Sequence, residues 1–345
     1  MKGNEAIGEA AVRGGCRYFF GYPITPQSEV LEYLARRLPE VGGAYVQAES
    51  EVSAINMVFG AAAAGARVMT ASSSPGISLM QEGISYIASA QLPAVIVNIM
   101  RGSPGLGGIQ PSQADYFQST KGGGHGDYRL LVLAPSTVQE MIDHTILAFE
   151  LAEKYCTPVV VFADGMMGQM MEPVVLPEVE PVPSEKPWAT TGMRGRGPNI
   201  IHTLHLPPDE LEQHCHNLFA KYHQIEANEK RSLAYYTEDA EILVVAYGIV
   251  SRVARAAVEQ AREAGIKAGL FRPITLWPFP DEALVNVAQK ARKVLVVEVS
   301  MGQMVEDVRL SINGRLPVEF YGRIGQVPTP GEIFNKISQI IAEVA

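Results

Sequence analysis

The sequence predicts an α/β protein with two sheet-forming units, the first a parallel sheet with helices on both faces. Three observations carry this. Between Glu5 and Phe162, short apolar, β-branched runs alternate with longer helical ones, the order that βαβ units produce. From Pro173 to Pro187 (PVVLPEVEPVPSEKP) the pattern stops in five prolines, which suit neither a helix nor a sheet interior. Near Glu241 the alternation resumes. A chain of 345 residues also fits about two domains at roughly 150 residues each. The expected division is residues 1–172, a linker over 173–238 with one helix, and residues 239–345.

In the first unit, Glu5 to Val12 reads as a helix and Cys16 to Tyr22 as a short buried strand. Gln27 to Arg37 fits a helix, Ala44 to Gln47 a strand, the alanine-rich Glu51 to Gly65 a helix, Arg67 to Ala71 a strand, and Ile77 to Ser89 a helix. Ala94 to Met100 (AVIVNIM) has the apolar, β-branched character of a strand buried on both faces. After a glycine-rich stretch come a strand at Leu130 to Leu133, a helix at Thr137 to Lys154 and a strand at Pro158 to Phe162. Residues up to about Glu238 read as irregular, except for a helix from about Asp209 to Lys230. Pro207-Pro208-Asp209 opens it, with proline and an acid where a helix start favours them. The second unit runs strand Ile242 to Ala246, helix Val250 to Ala264 closed by Gly265, and strand Ala268 to Phe271. Helix Asp281 to Ala291, strand Val294 to Val299, helix Gln303 to Ile312, strand Pro317 to Tyr321 and a helical tail from Gly331 follow.

Composition narrows the function. Hydrophobic residues make up 47% and charged ones 19%, enough for a large core and against global disorder. With 28 Lys+Arg against 37 Asp+Glu, the net charge of −9 disfavours nucleic acid as a partner, while leaving room for a local anion site. Cys16, Cys156 and Cys215 are scattered and no Cys-x-x-Cys occurs, which excludes a self-contained four-cysteine cluster or zinc ribbon and disfavours a disulfide scaffold. The N-terminal Met-Lys-Gly-Asn-Glu has no apolar signal core, and no apolar run approaches the roughly 20 residues of a membrane span. The expected setting is a reducing cytoplasm.

Ligands of open parallel sheets bind beyond the carboxyl ends of the strands, so the loops after the strands matter most. Tyr22-Pro23-Ile24-Thr25-Pro26 follows the first strand. Its prolines direct Thr25, and Thr25 or Ser28 can equally cap the next helix. Glu49 and Glu51 follow the second strand and open an apolar helix. They read as dipole-favoured caps or as a desolvated carboxylate suited to proton sharing. Ser72-Ser73-Ser74-Pro75-Gly76 follows the third strand and offers hydroxyls at a helix start, without the Gly-Lys-Ser/Thr of a P-loop. Arg101 follows the fourth strand, before a glycine-rich loop. Its planar fork suits a carboxylate, or an internal ion pair with Glu51 or Asp115. Lys121 to Asp127 (KGGGHGD) reads as a mobile loop at a site, or as plain surface. His202, His205, His214, His216 and His223 surround Cys215, yet His214 and His216 fall on different faces of a helix. A solvated face is therefore the stronger reading than a metal site.

Taken together, YPITP, then AES-E before the alanine-rich helix, SSSPGISLMQEG and NIMRG resemble the α subunit of the thiamine-diphosphate-dependent 2-oxoacid:ferredoxin oxidoreductases. Tyr247-Gly248, LFRPITLWPFP and EVSMGQ resemble that family's second domain, of the transketolase C-terminal type. The likeness runs through nearly the whole chain in order, except about residues 188–238. YPITPQSE, QAESE and QPSQADYFQSTKGGGHGDYR look closest to subunits for branched-chain 2-oxoacids such as 3-methyl-2-oxobutanoate, with the 2-oxoglutarate group next.

The resemblance implies that residues 1–172 form the pyrimidine-binding half of a thiamine diphosphate site. It places at Glu51, with Glu49 as the alternative, the glutamate that bonds the aminopyrimidine ring. Thr25 matches a threonine near the substrate carboxyl, and Arg101 the arginine that contacts it. Tyr22, Pro23, Ile24, Thr25, Glu51 and Ser74 are the expected cofactor-binding residues, and no metal ligand is expected in this chain. The Gly-Asp-Gly that holds the diphosphate metal in thiamine enzymes is absent; Ala163-Asp164-Gly165 and His125-Gly126-Asp127 lack its flanks. The resemblance therefore implies a β subunit with the diphosphate, Mg2+ and a [4Fe-4S] cluster. It also implies small γ and δ subunits, CoA as acyl acceptor and ferredoxin as electron acceptor. A non-catalytic assembly or regulatory subunit with the same fold is the competing reading, and the joint presence of Thr25, Glu51 and Arg101 argues against it.

Overall fold

The computed structural model describes residues 1–178 and 185–344. The first stretch contains α1 (Gly3–Arg13), β1 (Tyr18–Gly21), α2 (Ser28–Glu40), β2 (Ala44–Gln47), α3 (Glu51–Ala63), β3 (Val68–Ser72), α4 (Ser74–Ser89) and β4 (Ala94–Met100). It continues with α5 (Tyr116–Thr120), β5 (Leu131–Leu133), α6 (Val138–Tyr155), β6 (Pro158–Asp164) and α7 (Gly165–Gln169). Then come α8 (Pro208–Asn228), β7 (Ser232–Tyr235), β8 (Ile242–Val245), α9 (Gly248–Glu263), β9 (Ala268–Pro273) and β10 (Thr275–Trp277). The last elements are α10 (Asp281–Ala288), β11 (Lys293–Glu298), α11 (Met304–Ile312), β12 (Val318–Gly322) and α12 (Pro330–Val344).

Two sheets form, as the alternation predicts. The first has strand order β10-β5-β6-β4-β3-β1-β2 and is parallel except at β10. The second has order β12-β11-β8-β9-β7 and is parallel except at β7. All residues of β3, β4 and β6 are buried, as an uninterrupted apolar run in a parallel sheet requires. β4 and β6 pair in register from Ala94–Pro158 to Met100–Asp164, so their carboxyl ends finish together. The left-handed Gly265 (φ +80°) follows α9, where the sequence predicts a glycine stop.

Four short elements escape the sequence reading. β7 lies in the stretch expected to be irregular. It is a four-residue edge strand, half-exposed, without a buried apolar face to announce it. β10 lies within LFRPITLWPFP, read as strand then loop. It leaves the second unit and pairs antiparallel with β5 of the first sheet. The five-residue α5 and α7 are too short to show a helical period. α10 stops at Ala288, not at Ala291. Of the proline-rich linker, residues 179–184 lie outside the described residues. Residues 173–178 have no regular element, and the Gln139 side chain accepts from the Val175 N–H at 2.8 Å.

The second-unit motifs lie where the two sheets meet. The Gln113 side chain donates to the Tyr247 carbonyl at 3.0 Å and accepts from the Val299 N–H at 2.9 Å. The fully buried Tyr247 ring stacks on Phe162, centroids 6.3 Å apart. Arg272 is buried and grips Glu140 with both Nη atoms. Glu298 is buried and accepts from the N–H groups of Gln303, Met304 and Val305 and from the Ser300 hydroxyl, tying the EVSMGQ loop to the start of α11. Burial raises its pKa, and these four donors only partly offset that.

Candidate active site

Four strand ends bring the expected residues to one edge of the first sheet. β1 delivers the Tyr22–Pro26 turn, β2 leads to Glu51, β3 to the serines that open α4, and β4 to Arg101. Neither Thr25 nor Ser28 caps α2, which starts after Gln27 and has no side-chain cap. Tyr22, Pro23 and Thr25 are exposed and Ile24 half-buried.

Burial separates the two glutamates. Glu49 is exposed, whereas Glu51 is 5% exposed at the first position of α3, behind the Ser50 cap. Its carboxyl forms no hydrogen bond or ion pair among the described residues. It lies over Gly76 in the first turn of α4. A Cβ there would fall 2.5 Å from Glu51 Oε1 and 2.8 Å from Glu51 Cγ, and would overlap the Ser72 hydroxyl. Only a glycine lets the helix pass this close to the carboxyl.

Arg101 is 8% exposed and forms no ion pair among the described residues, so the internal pair with Glu51 or Asp115 is not made. Its Nη1 donates to the Thr25 carbonyl at 3.0 Å and its Nη2 to the Leu106 carbonyl at 3.1 Å, while Nε has no partner. Residues 102–110 fold back as a small hairpin, with a bridge between Gly102 and Gly108. The left-handed Gly107 (φ +58°) faces the Gly102 carbonyl so closely that any side chain would overlap it. The tip presents Leu106, 80% exposed.

Beneath Arg101 lies a polar network that sequence reasoning missed. The Ser74 hydroxyl donates to Asp115 Oδ2 at 2.6 Å and accepts from the Arg101 backbone N–H at 3.1 Å. Asn98 Nδ2 donates to the same Asp115 oxygen at 2.9 Å. Burial raises the Asp115 pKa, and the Ser74 and Asn98 bonds pull it back only in part. Ser74 and Asp115 stand out separately in the sequence; the signal left unread is Asn98, a polar residue inside an otherwise apolar strand. Unpartnered buried polar atoms gather on this edge: Gln27 Oε1, Ser72 Oγ, Ser73 Oγ, Asn98 Oδ1 and Arg101 Nε. Buried polar groups are nearly always paired, so these atoms are free to meet water or a ligand.

Other candidates resolve differently. Asp164 turns its carboxylate onto the Met166 and Met167 N–H groups and caps α7; burial pushes its pKa up to about 6. Residues 121–127 lie against α4, where Gly123 and Gly124 donate to the Tyr128 hydroxyl. Of the histidines, His205 stacks on His214 at 4.4 Å and meets His202 at a tilt at 4.9 Å, while His216 and His223 face Glu212 and Glu226. No group of three or more metal-ligating side chains is placed to hold a metal among the described residues. A cavity of about 740 Å³ lined by Lys230, Trp277, Phe279, Asp281 and Arg315 involves none of the residues of the strand-end site.

The fold is a two-sheet α/β one, with polar residues gathered beyond the carboxyl ends of a parallel sheet, where such sheets bind ligands. Residues 9–231 match the family model described as pyruvate flavodoxin/ferredoxin oxidoreductase, thiamine diphosphate-binding, and residues 240–333 match pyruvate:ferredoxin oxidoreductase core domain II. The chain belongs to this family of 2-oxoacid:ferredoxin oxidoreductase subunits. It is 53% identical to ketoisovalerate oxidoreductase subunit VorB of Methanothermobacter marburgensis, over 99% of this chain and 98% of that one. It is 41% identical to 2-oxoglutarate synthase subunit KorA of Methanocaldococcus jannaschii, over 89% of this chain and 90% of that one. Among solved structures, the 2-oxoglutarate:ferredoxin oxidoreductase of Magnetococcus marinus, with 2-oxoglutarate, coenzyme A and succinyl-CoA bound, superposes with a TM-score of 0.86 at 29% identity. That match covers 99% of this chain, which spans 65% of the solved one. A split-gene transketolase shares the fold at a TM-score of 0.64 and 14% identity, over 99% of this chain and 98% of that one. No helix among the described residues is long and apolar enough to cross a membrane.

Proposed function

We propose that this chain is the α-type subunit of a CoA-dependent oxidoreductase that decarboxylates a branched-chain 2-oxoacid, 3-methyl-2-oxobutanoate in the first instance, and passes two electrons to ferredoxin. The observation that carries it is Arg101, a buried guanidinium without an anionic partner among the described residues, set beside Thr25 on the edge where Glu51 is buried. A buried cation in that state suits a substrate carboxylate, which its fork can receive through two hydrogen bonds. The substrate side chain would meet Leu106 and Ile109, exposed and apolar on the loop that Arg101 tethers. A 2-oxoglutarate would bring a second carboxylate to the same place. Relatives at 53–55% identity are named for ketoisovalerate, and those at 38–41% for 2-oxoglutarate.

The edge fits half of a thiamine diphosphate site: Glu51 is buried and free to bond a ring nitrogen, Gly76 leaves it room, and unsatisfied hydroxyls surround it. Tyr22, Pro23, Ile24, Thr25 and Ser74 would flank the cofactor. Thiamine diphosphate, when bound, supplies the nucleophilic carbon and the electron sink for decarboxylation. Glu51 would bond the aminopyrimidine ring at its carboxyl, and Arg101 and Thr25 would orient the substrate carboxylate. The diphosphate, Mg2+ and the first [4Fe-4S] cluster belong to a β subunit, in keeping with the absence of Gly-Asp-Gly from this sequence. Small γ and δ subunits and a cytoplasmic setting complete the reading.

The test is to co-purify the chain with its partners and measure CoA-dependent viologen reduction with 3-methyl-2-oxobutanoate, 2-oxoglutarate and pyruvate. The branched substrate is expected to give the highest kcat/KM, and the chain alone none. Three inert substrates, or turnover by the single chain, would refute the proposal.

A further inference from the structure

We infer that Asp115 is a positioning residue for substrate binding: through the Ser74 hydroxyl it fixes the backbone of Arg101, and so the place of the guanidinium. The inference rests on the reading of Arg101 as the cation for the substrate carboxylate.

Arg101 lies one residue beyond the last ladder pair of β4, Met100 with Asp164, so its backbone N–H has no sheet partner. That N–H goes to Ser74 Oγ at 3.1 Å. A serine hydroxyl has a single hydrogen, and two acceptors compete for it: Asp115 Oδ2 at 2.6 Å and the Arg101 carbonyl at 3.4 Å. The Asp115 oxygen is much the closer, so it takes the hydrogen. The lone pairs of Ser74 are thereby turned toward the Arg101 N–H. Asn98 donates to the same carboxylate oxygen at 2.9 Å and holds it in place from within β4. Asp115 is also the residue before α5, yet its side chain does not cap that helix. A side chain diverted from its local bond into a buried network one strand away points to a role in that network.

Replacing Asp115 by Ala removes the acceptor shared by Ser74 and Asn98, whereas Asn would keep one in the same place. The Ser74 hydrogen is then free to turn to the Arg101 carbonyl, so the lone pairs are no longer held toward the Arg101 N–H. The guanidinium is then held only by its contacts to Thr25 and Leu106.

The experiment uses the complete complex with 3-methyl-2-oxobutanoate, and compares Asp115→Ala, Ser74→Ala, the double variant and Arg101→Gln. Asp115→Ala and Ser74→Ala are each expected to raise KM for the 2-oxoacid about tenfold with a much smaller change in kcat, the size of one lost hydrogen bond. The KM for CoA should not move, and the double variant should be no worse than the poorer single one. If Arg101→Gln raises KM while Asp115→Ala and Ser74→Ala stay within about twofold, the positioning role falls and the reading of Arg101 stands. If Arg101→Gln leaves KM unchanged, both fall. Additive effects of the two single variants would also overturn the shared path. If Asp115→Ala fails to assemble, Ser74→Ala alone decides between the same outcomes.

Discussion

Gly76→Ala should disable the enzyme while leaving it folded. The new Cβ would lie 2.5 Å from Glu51 Oε1 and 2.8 Å from Glu51 Cγ, where ordinary contacts begin near ~3.5 Å. The backbone of α4 is anchored, so the glutamate gives way, and its carboxyl must retreat by about 1 Å. Both opposing groups are mobile: a carboxyl at the end of a flexible chain and the hydroxyl of Ser72. The stability cost should therefore stay within the about 1–3 kcal/mol of a modest overpacking. The catalytic cost is larger, because displacing a reacting group by about 1 Å can lower the rate about 100-fold. The assay is viologen reduction by the assembled complex with saturating thiamine diphosphate and CoA, paired with a thermal melt. A Gly76→Ala complex that assembles and keeps kcat/KM within about threefold of the parent would show that the place of Glu51 does not matter, and would sink the reasoning.

Three further outcomes follow from the same geometry. Glu51→Gln keeps the shape and removes the proton-sharing carboxyl, so turnover should fall by about 10²–10⁴-fold with subunit assembly intact; near-normal turnover would shift the role to Glu49. Gln113→Ala strands the Tyr247 carbonyl and the Val299 N–H in the joint between the sheets, and should cost about 2–4 kcal/mol in denaturant unfolding; a loss below about 1 kcal/mol would mean that water replaces the side chain. Glu153 is desolvated, which raises its pKa, but hydrogen bonds from Arg67 and Lys186 outweigh this and lower it from 4.5 to about 2. Its contribution, about 1–2 kcal/mol after solvent screening, is therefore complete above pH 4.5 and disappears as pH falls toward 2. Glu153→Gln should unfold more readily than the parent at pH 7, and the gap should close on acidification; a gap independent of pH would contradict it.

Much of the fold was legible because its signals are local. A run such as AVIVNIM is too apolar for anything but a strand covered on both faces, and β4 has the bounds its composition implies. The misses were short or non-local. Nothing in Thr275 to Trp277 says that it leaves its own unit to extend the other sheet, because that pairing depends on β5, more than 130 residues away. The expected site residues were visible as strand-end punctuation: YPITP, a glutamate at a helix start, an arginine before glycines. The roles of their neighbours Gly76, Asn98 and Asp115 were not, since each matters only through a contact made across strands.

The sequence by itself determined the two α/β units, the strand ends at which chemistry could sit, and the absence of a Gly-Asp-Gly motif and of clustered cysteines. Periodicity, punctuation and motif content are properties of neighbours along the chain. Only the tertiary structure decided that Glu51 is buried and Glu49 exposed, that Arg101 has no internal carboxylate partner among the described residues, and that Ser74 serves Asp115 and Arg101 together. Burial and hydrogen-bond direction depend on which elements pack against one another, and at this edge four separate strands set them at once.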